Sequence, residues 1–128
     1  MKSENIRPTD SELEILQILW AEGPSSVRTV NDLLNQHREV GYTTTLKIMQ
    51  IMADKGLVER NTESRTHIYK ASISEEETQQ KLLDRFVDAT FRGSAMKLVI
   101  QALGNHKASP QELEDIKALI EAMEKKQP

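Results

Sequence analysis

The 128-residue chain contains no cysteine. That excludes disulfides, thiolate metal sites and cysteine nucleophiles, and it suits a reducing compartment. Aromatic residues are scarce: Trp20, Tyr42, Tyr69, Phe86 and Phe91 are the full set. A core must therefore be mostly aliphatic. Single-stranded nucleic acid and RNA are poor ligands for such a chain, because base stacking needs aromatic platforms. Long apolar runs are missing too. The longest is about four residues, far short of the roughly 20 that a membrane helix needs. The first ten residues are polar, so no secretory leader is expected. These absences predict a soluble, cytoplasmic protein with no membrane insertion.

Catalytic signatures are also absent. His37, His67 and His106 have no metal-ligand spacing. No glycine-rich phosphate loop is present and no serine stands in a nucleophile elbow. The carboxylates fall on helix faces where ordinary ion pairing accounts for them. No catalytic residue, metal or cofactor is expected, and the chain does not read as an enzyme.

Net charge is −3, from 17 basic and 20 acidic residues. DNA-binding domains are often strongly basic, so the total argues mildly against nucleic acid. The distribution is less even. Residues 38–70 hold Arg38, Lys47, Lys55, Arg60, Arg65 and Lys70 against Glu39, Asp54, Glu59 and Glu63. That is +2, which leaves −5 for the rest of the chain.

What is present is a run of well-punctuated elements. Thr9 with Glu12 three residues on is a capping-box signal. Leu13, Leu16 and Trp20 then recur at helical spacing, widened by Ile15, Ile18 and Leu19. Gly23-Pro24 stops the run, with the glycine in the left-handed position after a helix, so a helix is predicted over about residues 10–22. Ser25 or Ser26 caps a second helix, with Val27, Val30, Leu33 and Leu34 inward, fading between His37 and Gly41. A third starts at Tyr42 or Thr43, turns Ile48, Met49, Met52 and Ala53 inward, and ends at Gly56. Leu57–Arg60 and Thr66–Ala71 then read as strands around the polar turn Asn61–Ser64.

Ser74 with Glu77 opens a helix carrying Leu82, Leu83, Phe86, Val87, Thr90 and Phe91, ended by Gly93. Ser94 caps a short helix from Ala95 to Leu103, closed by Gly104. Ser109-Pro110-Gln111-Glu112 combines an N-cap, an N1 proline and an N3 glutamate. The last helix carries Leu113, Ile116, Leu119, Ile120 and Met123, and its tail from Glu124 to Pro128 is expected to fray.

The fold class is thus mainly α with a small β-hairpin: a winged helix-turn-helix followed by a helical domain. The boundaries are 1–72 for a winged-helix DNA-binding domain and 73–128 for a helical dimerisation domain. In a winged helix the third helix can enter the major groove while the hairpin reaches the flanking backbone. If Ile48, Met52 and Ala53 point inward, Thr43, Thr44, Lys47, Gln50 and Ile51 point outward. Hydroxyls and Lys47 can donate to DNA acceptors, Gln50 can pair with adenine, and an aliphatic group can touch the thymine methyl. The bland alternative is a solvated helix face. Arg65 and His67 beside the hairpin turn, with Arg60 on the partner strand, suit a phosphate or a narrow minor groove. An ordinary charged hairpin surface is the alternative there.

The helical half looks too apolar to bury itself. Leu82, Leu83, Phe86, Val87 and Phe91, then Leu98, Val99, Ile100, Ala102 and Leu103, with Ile116 and Ile120 on the last helix, suit a two-fold interface. The alternative is packing back onto the first helix. A winged-helix protein-interaction module without sequence-specific DNA binding is the competing function, favoured by the acidic net charge.

The stretch Tyr42–Arg60, Tyr-Thr-Thr-Thr-Leu-Lys-Ile-Met-Gln-Ile-Met-Ala-Asp-Lys-Gly-Leu-Val-Glu-Arg, follows Glu-Leu-Glu-Ile-Leu-Gln-Ile-Leu-Trp at Glu12–Trp20. Together they resemble the penicillinase-repressor family of bacterial regulators, the BlaI/MecI/CopY type, over about residues 8–122. The resemblance implies a homodimer that represses transcription by binding a palindromic operator. It places Thr43, Thr44, Lys47 and Gln50 at groove-facing positions. It also implies a membrane-bound sensor metalloprotease as a possible partner, since members of this kind often work beside one. Two departures matter. Copper-responsive members carry a C-terminal cysteine motif that this chain lacks. Resistance-gene repressors are cleaved at an Asn-Phe bond where this chain has Gln101-Ala102. The known inducing signals therefore do not carry over.

Overall fold

The computed structural model describes residues 7–105 and 108–127. His106 and Pro128 lie outside the described residues. Internal contacts divide the chain into two units, Met1–Leu82 and Leu83–Pro128.

In the first unit the order is α1 (Asp10–Glu22), β1 (Ser25–Ser26), α2 (Val27–Leu34), α3 (Tyr42–Lys55), β2 (Val58–Asn61) and β3 (Ile68–Ala71). Helix α4 (Glu75–Phe91) begins in this unit and continues into the next. The capping box of α1 is complete: Thr9 Oγ1 accepts from Glu12 N–H, and Glu12 Oε1 accepts from Thr9 N–H. Gly23 ends α1 at φ 84°, ψ −167°. This is a glycine conformation but not the left-handed helical one expected, because the chain leaves directly into a strand. Gly56 does take the left-handed helical conformation, φ 85°, after α3.

Helix α2 stops at Leu34, earlier than its sequence predicts. Asn35 explains the difference. Its side chain donates to the Val40 carbonyl at 2.8 Å and accepts from Val40 N–H at 3.0 Å, closing the turn before another helical turn can form. Turned to suit its neighbours, the Asn31 amide donates to Thr45 Oγ1 at 2.7 Å and to the Val40 carbonyl at 3.1 Å. The helix-turn-helix angle is thus fixed by two asparagines. The same bond explains why Thr45 is buried in α3. Thr45 joins the predicted inner stripe of α3: Thr45, Met49 and Met52 are buried, and Ile48 and Ala53 are half-buried against the core.

The sheet has three antiparallel strands in the order β1-β3-β2, one more than the hairpin alone. Ser25 pairs with Tyr69 and Ser26 with Ile68. Two residues are too short to show a period, so sequence marks Ser25 only as a candidate cap. Ser26 serves as both: it ends β1 and its hydroxyl accepts from Thr29 N–H to cap α2. The hairpin pairs Val58 with Ala71 through Asn61 with Ile68. The first strand is shifted by one residue from its predicted bounds and the second begins two residues later than predicted, leaving residues 62–67 as the wing loop. Asn61 Oδ1 accepts from Glu63 N–H and the Ser64 hydroxyl donates to the Thr66 carbonyl, which shapes that loop.

Ile15, Leu16, Leu19, Val27, Val30, Leu34, Met49, Met52, Leu57 and Tyr69 form the heart of one core. All three helices and the sheet contribute to it, so the outer face of α3 is held on a packed base. Trp20 is half-buried, and its indole Nε1–H donates to the Ile73 carbonyl at 3.0 Å. That bond ties the end of α1 to the segment leading into α4.

The second unit holds the rest of α4, α5 (Ala95–Asn105) and α6 (Pro110–Lys126). Arg92 at φ 52° and Gly93 at φ 83° turn the chain out of α4. Ser94 Oγ accepts from Lys97 N–H, and the Ser109/Glu112 capping box is complete. Helix α5 passes through Gly104 rather than ending before it, and α6 stays helical to Lys126 where fraying was expected. Complementary Lys125 and Lys126 in the last turn of α6 favour that extension.

Candidate nucleic-acid interface

Helix α3 buries one face and presents the other. Thr43, Thr44, Lys47, Gln50 and Ile51 are all exposed, spaced so that they share one side of the helix opposite Met49 and Met52. Ile51 keeps 41 % of its surface exposed, unusual for an aliphatic side chain with a core one turn away. Gly41 precedes this helix with no side-chain cap, so the first N–H groups of α3 are not taken up by a capping side chain.

Arg65 and His67 project from the wing loop and are exposed. With Arg28 and Tyr42 they line a cleft of about 350 Å³, floored in part by Leu46 and Tyr69. The Arg28 guanidinium carbon lies 5.4 Å from the centre of the Tyr42 ring. Arg28 and Tyr42 are the site residues that sequence reasoning missed. They lie 14 residues apart, on different helices, and only the helix-turn-helix turn brings them together. Arg60, on β2, faces a separate cleft with Glu59, Glu63 and Lys70. The structure does not gather it with Arg65 and His67.

The cations of residues 38–70 divide into two groups. Arg38 bonds Glu14 at 2.6 Å, Lys55 bonds Glu12 at 2.8 Å, and Lys70 lies 3.4 Å from Glu59. Among the described residues, Lys47, Arg60 and Arg65 have no such ion pair, and neither does Arg28, which lies before this segment. The charges at α3 and the wing are therefore available to a ligand, while Arg38, Lys55 and Lys70 are each paired with a carboxylate.

Glu12 is the most consequential of these pairs. Burial pushes its carboxyl up, but the hydrogen bond from Lys55, the Thr9 N–H and the Lys55 charge together carry it below the ordinary carboxylate value. One carboxylate thus completes the cap of α1 and grips the last turn of α3. The Arg38 guanidinium likewise lowers Glu14 and is itself raised by it, though both side chains are exposed.

On the second unit, Leu83, Phe86, Val99, Leu103 and Ile120 are exposed, and Val87, Phe91, Leu98 and Ile116 are half-buried; Leu82, at the end of the first unit, is half-buried too. Phe86 and Phe91 meet edge to face with ring centres 5.6 Å apart. None of the described residues of this unit is buried.

Three helices, a three-stranded sheet and a loop extending from its hairpin define a winged helix-turn-helix protein with a helical extension. The particular family is the penicillinase repressors, to which this chain belongs: the family's sequence model matches residues 8–122. A penicillinase repressor of Staphylococcus aureus is 18 % identical over 126 residues, spanning 98 % of this chain and 100 % of the relative. A transcriptional regulator BlaI of Mycobacterium tuberculosis is 29 % identical over 71 % of this chain and 67 % of its own. The penicillinase repressor of Bacillus licheniformis is 20 % identical over 88 % of each. This is a family of transcriptional repressors and not of enzymes. No helix among the described residues is long and apolar enough to cross a membrane.

Proposed function

We propose that the protein represses transcription by binding a palindromic duplex operator as a homodimer. The observation that carries this reading is the outer face of α3, where Lys47 is unpaired among polar and aliphatic groups suited to base edges. Thr43, Thr44, Gln50 and Ile51 read the major groove beside it, and Arg65 and His67 serve the flanking backbone. Leu82, Leu83, Phe86, Val87, Phe91, Leu98, Val99, Leu103, Ile116 and Ile120 serve the two-fold interface. The half-sites then lie about one helical turn apart, or a multiple of it. Action on DNA belongs in the cytoplasm. A membrane-bound sensor metalloprotease stays within the proposal through family likeness alone, since Gln101-Ala102 stands where the cleaved Asn-Phe bond would be.

Selection of bound genomic fragments followed by a salt titration tests it. Binding is expected to weaken steeply with salt as phosphate contacts release counterions. Lys47→Ala is expected to cost about 1–3 kcal/mol with relaxed sequence preference. Negligible duplex affinity at low salt would instead favour a winged-helix protein-interaction module, the reading that the net charge of −3 supports.

A further inference from the structure

We propose that the cleft framed by Arg28, Tyr42, Arg65 and His67 receives one phosphate of the DNA backbone, with Arg28 as the residue that grips it. The inference rests on the duplex-binding reading and adds a defined contact, on a residue outside α3 and the wing.

Three elements converge here: the first turn of α2, the first turn of α3 and the wing. No carboxylate lines the cleft. Two other clefts of this unit differ in this respect, since Glu59 and Glu63 line one and Asp10, Glu14 and Glu22 the other. Arg28 and Arg65 have no ion pair among the described residues, although the chain has more acidic than basic side chains to offer. An anion is what the site lacks.

The Tyr42 ring explains why Arg28 is the gripping residue. A guanidinium over an aromatic face is held there by the ring's quadrupole, at 5.4 Å here. A contact of this kind engages the charge of the guanidinium and leaves its N–H groups able to donate. A planar fork of donors fits two phosphate oxygens at once, which an ammonium cannot do. Because the ring constrains the side chain, less rotamer freedom is lost on binding. Arg65 adds a second permanent charge and His67 an imidazole from the wing. Tyr42 is also the first residue of α3. A phosphate held against Arg28 therefore sets the position of α3 along the groove, immediately before Thr43 and Thr44.

The alternative is a surface arginine resting on a tyrosine with no ligand. Two measurements on the full chain separate the readings. The first is the salt dependence of binding to a fluorescent mixed-sequence duplex. Arg28→Ala is expected to reduce the log–log slope by about one per bound protomer. The affinity loss should be uniform across sequences, unlike that of Lys47→Ala. Arg28→Lys should keep the slope, because charge sets it, while binding more weakly than the parent because the fork is gone. A parent-like slope for Arg28→Ala would overturn the proposal. The second needs no DNA: inorganic phosphate is titrated at constant ionic strength against chloride while side-chain and amide resonances of the cleft are followed. Saturable shifts at Arg28 and His67 with phosphate alone, lost in Arg28→Ala, are expected. Equal shifts with chloride, or none, would overturn it. If the parent bound no duplex, the functional reading would fall and the phosphate titration alone would decide the cleft.

Discussion

The two units solve the problem of apolar surface differently. In Met1–Leu82, Leu16, Val30, Met49, Met52 and Leu57 are fully enclosed by the unit's helices and sheet. In Leu83–Pro128, Phe86 keeps 49 % of its surface exposed and Ile120 52 %, and Met96, Ile100, Leu119 and Met123 are more exposed still. Exposed apolar residues in this number are what the proposed dimer would cover. One chain thus carries a unit that encloses its own apolar core beside helices that leave theirs exposed. On the proposed dimer, the second unit completes its core only with its mate.

The largest expected effect breaks this division from the side of the second unit. Phe86→Asp places a charge on the proposed interface, where it would be buried without a partner. The monomer loses the second half-site as an intramolecular event, and operator affinity falls by about 10²–10⁴-fold. Sedimentation should show a monomer, while Trp20 emission stays parent-like because its environment lies in the first unit. A monomer that held the full operator as tightly as the parent would remove the link between the two units.

Leu16→Ala attacks the other side. Leu16 is fully buried, and truncation there leaves a cavity that costs about 2–5 kcal/mol. Urea unfolding followed through Trp20, the chain's single tryptophan, should show that loss directly. A cost near zero would mean that the first unit is not the tightly packed body its burial indicates.

Glu12→Gln is smaller. Glutamine can still accept from Thr9 N–H, so the substitution removes chiefly the charge facing Lys55. A hydrogen bond to a charged group at a buried carboxylate makes the expected loss about 1–3 kcal/mol. The sign with pH follows from the lowered pKa of Glu12 in the folded state. Its stabilisation is fully present above the ordinary value of 4.5 and disappears as pH falls through the lowered folded value. Parent and variant should therefore differ near neutrality and converge in acid. A gap that widened in acid would contradict the direction assigned to Glu12.

These contrasts also show what was legible in the sequence. Local signals were read well: Thr9 with Glu12, Ser109 with Pro110 and Glu112, and the stop at Gly56 all act where expected, because each involves neighbours within one helical turn. The exposure of Thr43, Thr44, Lys47, Gln50 and Ile51 followed from helical period alone. Contacts between distant residues were not legible. Thr45 is polar, so nothing local marks it as buried until Asn31 is seen across from it. Ser25 gains its strand partner Tyr69 from the far end of the hairpin. Arg28 acquires its meaning only from Tyr42 and the wing.

The smallest effect compares like with like. Thr9→Ala and Ser109→Ala each remove the hydroxyl of a complete capping box, one on α1 and one on α6. Each is expected to cost about 0.5–2 kcal/mol of helix stability. The two should differ in how that loss depends on protein concentration. Helix α1 packs into a core closed within its own unit, so Thr9→Ala should shift the Trp20-monitored transition equally in dilute and concentrated samples. Helix α6 has no buried residue of its own, and on the proposed dimer its folding is linked by mass action to association. Ser109→Ala should therefore leave the Trp20 transition in place and shift a far-ultraviolet circular dichroism component that moves upward as protein concentration rises. Thermal melts of both variants and the parent over a hundredfold range of concentration, on the order of what resolves such linkage, read the difference. A Ser109→Ala component that ignored concentration would show that the second unit stabilises itself without a mate, and the contrast between the two units would fail at that point.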